Sequence, residues 1–124
     1  MIIRDNIIKQ ATEMAKASNV KRGKVGAVLF TRGGHIVCSA SNKKFYGHAT
    51  KFTIHAEEML IAKALRLKAI DRFDNLNILV VRYRKKDCKL SIAKPCKKCQ
   101  IILKETGIPV FYSDEQGTIK KMEG

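Results

Sequence analysis

The chain has 124 residues, 45% of them apolar, which is enough for one compact core and too little for two, so residues 1–124 are expected to form a single domain. No apolar run approaches the roughly 18–20 residues that span a bilayer, and the opening MIIRDNIIKQ lacks the basic flank and long apolar stretch of a secretory signal, so a membrane protein is excluded and the cytoplasm is the expected location. Twenty-five Lys and Arg against 11 Asp and Glu give a net charge of +14, which suits a polyanionic partner such as nucleic acid, although a lysine-rich composition without a selected partner reads the same way.

In chain order, Arg4 to Ser18 places Ile7, Ile8, Ala11, Met14 and Ala15 at the spacing of an amphipathic helix. KVGAVLFT, the turn RGG and HIVCSA read as a hairpin over Lys24 to Ala40. A polar loop, SNKKFYGHATKF, leads to a helix that starts in TIHAEEMLIAKA and runs to about Lys68. NILVVRY is a third strand, PCKKCQIILKETG a helix opened by proline and closed by glycine, IPVFYS a fourth strand and GTIKKM a short fifth. Strands separated by helices after an initial hairpin imply an α/β sandwich with a mixed sheet.

Two of the helices open on metal-binding side chains. His55 falls in the first turn of one, and Cys96 and Cys99, three apart, share a face in the first turn of the other. Helix N-termini meet at one edge of an α/β sheet. One imidazole and two thiolates suit a tetrahedral zinc with its fourth position open to water, whose pKa zinc lowers to about 7. Glu57, two residues beyond His55, can then carry protons between water and substrate without binding the metal. Taken alone, His55 reads as a structural histidine and Glu57 as an acid favoured by the helix dipole. Together with the cysteines they read as a site. A structural four-cysteine site with Cys38 and Cys88 leaves HAE unexplained; Cys38 is expected in the core, Cys88 as an incidental thiol, and His35 and His48 receive no role.

H-x-E followed by P-C-x-x-C is the signature of zinc deaminases. With VGAVLF, the SN after the second strand, HAEE, KPCKKC and GIPVFYS in order over Val25 to Ser113, the chain resembles the cytidine and deoxycytidylate deaminase superfamily, which includes tRNA adenosine deaminases and polynucleotide cytosine deaminases. The resemblance implies a three-layer α/β/α fold with a mixed five-stranded sheet and one Zn2+ per chain on His55, Cys96 and Cys99. It further implies hydrolytic attack at C4 of cytosine, or C6 of adenine, with Glu57 as general acid and base and ammonia released. By the same resemblance Val25 lies against the base, Asn42 contacts the sugar, the Ala56 amide binds the base and the Lys94 carbonyl accepts from the amino group. Two features point to different branches of the superfamily. The loop SDEQG is too short for a helix and favours an antiparallel C-terminal hairpin, as in free-nucleoside deaminases, whereas that branch usually has Cys in place of His55.

Three basic segments are expected around the mouth: SNVKRGK with Lys21 and Arg22, SNKKFYGHATKF with Lys43, Lys44, Phe45 and Tyr46, and RYRKKDCK with Arg84, Lys85 and Lys86. Aromatics interleaved with lysines combine stacking faces with phosphate-binding charge. The expected substrate is therefore cytosine in single-stranded DNA or RNA, with a free nucleotide or nucleoside as the alternative and adenine in tRNA third. A catalytically silent nucleic-acid-binding module is the reading from another class, and Glu57 argues against it. Monomer and homodimer both remain open.

Overall fold

The computed structural model describes residues 3–46 and 51–122; His48 and the side chain of Tyr46 lie outside the described part. The elements are α1 (Asp5–Lys16), β1 (Lys24–Thr31), β2 (Ile36–Ser41), β3 (Lys43–Tyr46), β4 (Lys51–Ile54), α2 (Ala56–Arg66), α3 (Ala69–Arg72), β5 (Leu76–Arg84), β6 (Lys89–Ser91), α4 (Lys97–Thr106), β7 (Val110–Ser113) and β8 (Ile119–Lys121). The strand order is β2-β1-β5-β7-β8, with β6 paired to the end of β5. Among the described residues only β5 and β7 run parallel, α4 lying on the crossover between them. The fold is the expected α/β class with a mixed sheet, and the β7–β8 connection is an antiparallel hairpin.

Strand alternation assigns the two faces. Ala27 and Leu29 of β1 and Ile78 and Val80 of β5 point to one side, where Leu60 and Ala64 of α2 and Leu103 of α4 cover them. Val28, Phe30, Leu79 and Val81 point to the other, where Ile7, Ala11 and Ala15 of α1 cover them. The helix α1 approaches β1 so closely that a Cβ on Gly26 would run into the Ala11 carbonyl oxygen and the Ala15 nitrogen. Glycine is required there by contact, not by φ.

Three elements differ from the sequence reading. The segment read as a polar loop after β2 holds the two-stranded β3–β4 sheet, in which Lys43 pairs with Ile54. Lysines, tyrosine and phenylalanine in a short run carry no apolar alternation because this ribbon stands apart from the main sheet, so its signal was charge rather than period. Consequently α2 follows β4 of that ribbon, and only α4 lies between parallel strands. The short β6 and α3 also carry too few residues for a periodic pattern. No described helix is long and apolar enough to cross a membrane.

Candidate active site

His55 and Cys96 are the residues immediately before α2 and α4, both with extended backbone (φ −69°, ψ 150° and φ −67°, ψ 167°). At that position a side chain projects over the helix end, where unpaired N–H groups and the helix dipole favour negative charge, as on a thiolate. Cys99 sits one turn further and is fully buried. The two helices lie on the same sheet face with their N-terminal turns together, and a solvent-exposed pair between Lys98 and Glu58 (3.7 Å) bridges them.

His55 Nδ1 lies 3.3 Å from Cys99 Sγ and 3.8 Å from Cys96 Sγ, and all three donor atoms fall within 4.8 Å of one another. A tetrahedral zinc with ordinary bond lengths would hold nitrogen and sulfur about 3.5 Å apart, so the set fits one Zn2+, with Nδ1 as the nitrogen. The protonation chemistry agrees. Burial, and then the neighbouring Glu57 carboxylate, push the Cys99 thiol far above its ordinary range. Burial likewise raises Glu57, against the opposing effects of its own backbone N–H, His55 and the Cys99 thiol. A pocket that disfavours negative charge on its own acids is one in which a divalent cation is welcome. Among the described residues this is the one cluster of His, Cys, Asp and Glu able to hold a metal; Cys38 packs against the core and Cys88 is exposed, so neither joins it. His35 is stacked on Phe73 instead.

A cleft of about 420 Å³ opens over these residues. Its lining includes His55, Glu57 and Cys96, all four substrate-contact positions, Val25, Asn42, Ala56 and Lys94, and one of the basic residues named from the sequence, Arg22. Lys21, Lys43, Lys44, Phe45, Arg84, Lys85 and Lys86 are not in its lining. Arg84 is engaged by Asp87 through two hydrogen bonds of 2.6 and 3.1 Å, and Lys44 binds Asn19 through its backbone.

Asn42 is more committed than its position suggested. Its Oδ1 accepts from Ser18 Oγ (2.6 Å) and from the Val25 amide (2.9 Å), while Nδ2 donates to the Gly23 carbonyl (2.7 Å). The single Ser18 Oγ proton is shared between Asn42 Oδ1 and the Asn42 carbonyl (2.9 Å), Ser18 Oγ accepts from Val20 N (3.2 Å), and Lys24 Nζ donates to the Ser18 carbonyl (2.5 Å). This network fixes the loop carrying Val20, Arg22 and Gly23 into the cleft wall. Behind the lining residues Arg82 and Ala93, Ser113, fully buried, donates to the Ser91 carbonyl (2.6 Å) and accepts from Arg82 N (3.3 Å), and its carbonyl accepts from Ala93 N (2.9 Å). Sequence reasoning placed Ser18 and Arg82 in segments expected at the mouth without singling them out, and gave Ser113 no role. Arg82 carried a usable signal, a cation interrupting the apolar run NILVV on the strand leading to the basic turn; the two serines carried none, because their partners are 20 or more residues away.

A family model described as the cytidine and deoxycytidylate deaminase zinc-binding region matches residues 1–113. In fold the chain is similar to a cytidine deaminase from Burkholderia pseudomallei, at 19% identity and a TM-score of 0.70, over 98% of this chain and 93% of that one. It is also similar to a dCMP deaminase from the cyanophage S-TIM5, at 23% identity and a TM-score of 0.64, over 90% and 82%. No curated protein sequence matches the chain closely. The clustered His55, Cys96 and Cys99 fit the single zinc of such a region, and the chain belongs to the cytidine and deoxycytidylate deaminase family.

Proposed function

We propose that the protein hydrolyses the exocyclic amine of a cytosine that carries phosphate, giving uracil and ammonia. The observation that carries this reading is the placement of Glu57, His55 and Cys96, with Cys99 buried beside His55, in a cleft whose walls bear Arg22, Arg82 and Lys94. His55, Cys96 and Cys99 would hold the zinc, which when bound would supply a water made nucleophilic at neutral pH. Glu57, buried and two residues from His55, takes a proton from that water and delivers it to the ring nitrogen N3, then carries a second to the amino group as the C4–N bond breaks. The Ala56 amide and the Lys94 carbonyl line the same cleft and hold the base edge, and Val25 packs on its face. Three cations in a space for about one nucleotide match the charge of a single phosphate group and its surroundings.

Free deoxycytidylate-type nucleotide is the substrate this cleft favours, since the strongly basic segments at Lys43–Lys44 and Lys85–Lys86 fall outside its lining. Cytosine in single-stranded nucleic acid is the second reading, supported by the net charge of +14 and by those same segments as a backbone track. Incubating zinc-loaded protein with deoxycytidylate, cytidine and single-stranded DNA and RNA, and identifying the uracil product by mass, separates them. Turnover of deoxycytidylate well above cytidine supports the first reading. Turnover confined to oligonucleotides, with a log-log salt dependence of roughly −0.7 per phosphate contacted, supports the second, and no deamination of any of them refutes both.

A further inference from the structure

At the end of the sheet opposite the zinc ligands, where β5 and β7 begin, lies a second cleft of about 750 Å³, larger than the catalytic one. Three cations from separate segments meet in its lining, Arg4 before α1, Arg32 in the β1–β2 turn and Lys121 on β8, and no carboxylate lines it. Among the described residues, ion pairs engage Glu13, Glu58, Asp87 and Asp114, and none of them reaches these three cations.

These side chains belong to braced backbone. The Arg32 amide donates to the Asn75 carbonyl (3.0 Å), which pins the β1–β2 turn to the start of β5. Asn77, 5% exposed, donates its Nδ2 to the same carbonyl (3.1 Å), and Asn75 itself takes a left-handed φ of 57°. Arg4 is laid over Gly34, where an added Cβ would come within 2.6 Å of its Cδ, and Asn6 Nδ2 fastens that turn through the Gly34 carbonyl (3.2 Å). On its far side the cleft continues past Gly107, Ile108 and Pro109 into an apolar groove of about 640 Å³. Bringing three cations together without an anion costs Coulomb energy that an anionic ligand would recover, and arginine offers the paired donors that suit phosphate oxygens.

From this convergence we infer that the cleft at the β5–β7 start is a second binding site, for the adjacent phosphates of a small polyphosphate-bearing molecule. It is separate from the catalytic cleft and shares no lining residue with it. The inference does not rest on the proposed substrate, because the probe is inorganic tripolyphosphate and the readout is binding.

Zinc-loaded protein, small enough for assigned amide spectra, is titrated with tripolyphosphate. Shifts concentrated at residues 31–33, 75–77 and 107–109 are expected, and Arg4→Gln with Arg32→Gln should weaken binding there by about tenfold. Removing two charges elsewhere, Lys9→Gln with Lys89→Gln, should change it far less, and Arg22→Gln with Arg82→Gln should leave the shifts at 75–77 in place. Equal losses in the first two double variants, or shifts spread evenly over all basic surfaces, would show only a diffuse response to positive charge and overturn the proposal. So would shifts confined to residues 22–25 and 93–94, which would place the anion in the catalytic cleft alone. A deaminase assay that fails leaves these outcomes unaffected, since none of them uses turnover.

Discussion

The two faces of the sheet are filled by helices of similar kind and yet do different work. Against α1 the buried interface is apolar, Ile7, Ala11 and Ala15 meeting Val28, Phe30, Leu79 and Val81, with one half-buried polar contact from Gln10 Nε2 to Ser39 Oγ (3.2 Å). Against α2 and α4 an equally apolar centre, Leu60, Ala64 and Leu103 over Ile78 and Val80, ends at the helix N-termini in His55, Glu57, Cys96 and Cys99. The buried residues of the first face include no carboxyl or thiol. The second buries a carboxyl and a thiol whose charged forms burial disfavours, and a bound cation offsets that cost. Both faces contribute packing, but the candidate chemistry lies at one end of the second alone, so variants on the two sides should fail in different ways.

The sharpest contrast comes from the zinc ligands. Cys99→Ala should abolish stoichiometric zinc and all turnover, and lower the melting temperature of the zinc-loaded protein, whereas Cys88→Ala, at an exposed thiol, should change neither; metal analysis and thermal melts check both. Glu57→Gln should cut kcat by about 10²–10⁴-fold while zinc content and melting temperature hold, because the amide keeps the shape and cannot carry the proton. Substantial remaining turnover would assign the proton transfer to another group.

On the α1 face the pattern reverses. Gly26→Ala forces a Cβ into the backbone of α1, and a loss of about 3 kcal/mol in urea unfolding is expected, with unchanged zinc stoichiometry in whatever fraction stays folded. Zinc loss without destabilisation would mean that α1 holds the site directly.

Smaller effects belong to the loop between the two regions. Ser18→Ala removes one donor from the Asn42 network and should cost about 1 kcal/mol, read mainly as a higher KM because Val20 and Arg22 lose their anchor while Glu57 is untouched. A fall in kcat with unchanged KM would count against a positioning role. The smallest expected effect is a pH dependence at the C-terminal hairpin. Burial raises the Asp114 carboxyl, but the Thr118 and Gln116 amides and Lys120 outweigh it and hold it below the usual range. A lowered folded pKa means that the contribution is complete above the unfolded value of about 3.9 and is lost as pH falls through the folded one. The stability gap between wild type and Asp114→Asn should accordingly close on acidification in chemical denaturation, and a gap that widens would contradict the sign.

The contrast between the faces also explains how much could be read in advance. Local pattern sufficed for α1, β1, β5 and α4, since amphipathic spacing, alternation, a proline start and a glycine end act within a few residues. It sufficed for the zinc set as well, because His55, Cys96 and Cys99 are chemically unusual and sit at helix starts that the sequence itself marks. The β3–β4 ribbon escaped because a small exposed sheet imposes no apolar period on its residues. Of the seventeen residues named beforehand for metal, catalysis or substrate, the seven cations assigned to nucleic acid were the least legible: of these only Arg22 lines the cleft and Arg84 is held by Asp87, while Arg82, within RYRKKDCK but not singled out, lines it as well. A lysine or arginine looks the same in sequence whether it meets solvent, a carboxylate or a cleft. What chain order and residue type determined by themselves was the class of fold and the metal chemistry. The burial of Glu57, the binding of Asn42 by Ser18 and the presence of Arg4, Arg32 and Lys121 around one cleft depend on segments far apart in the chain, and only their packing against one sheet brought those segments together.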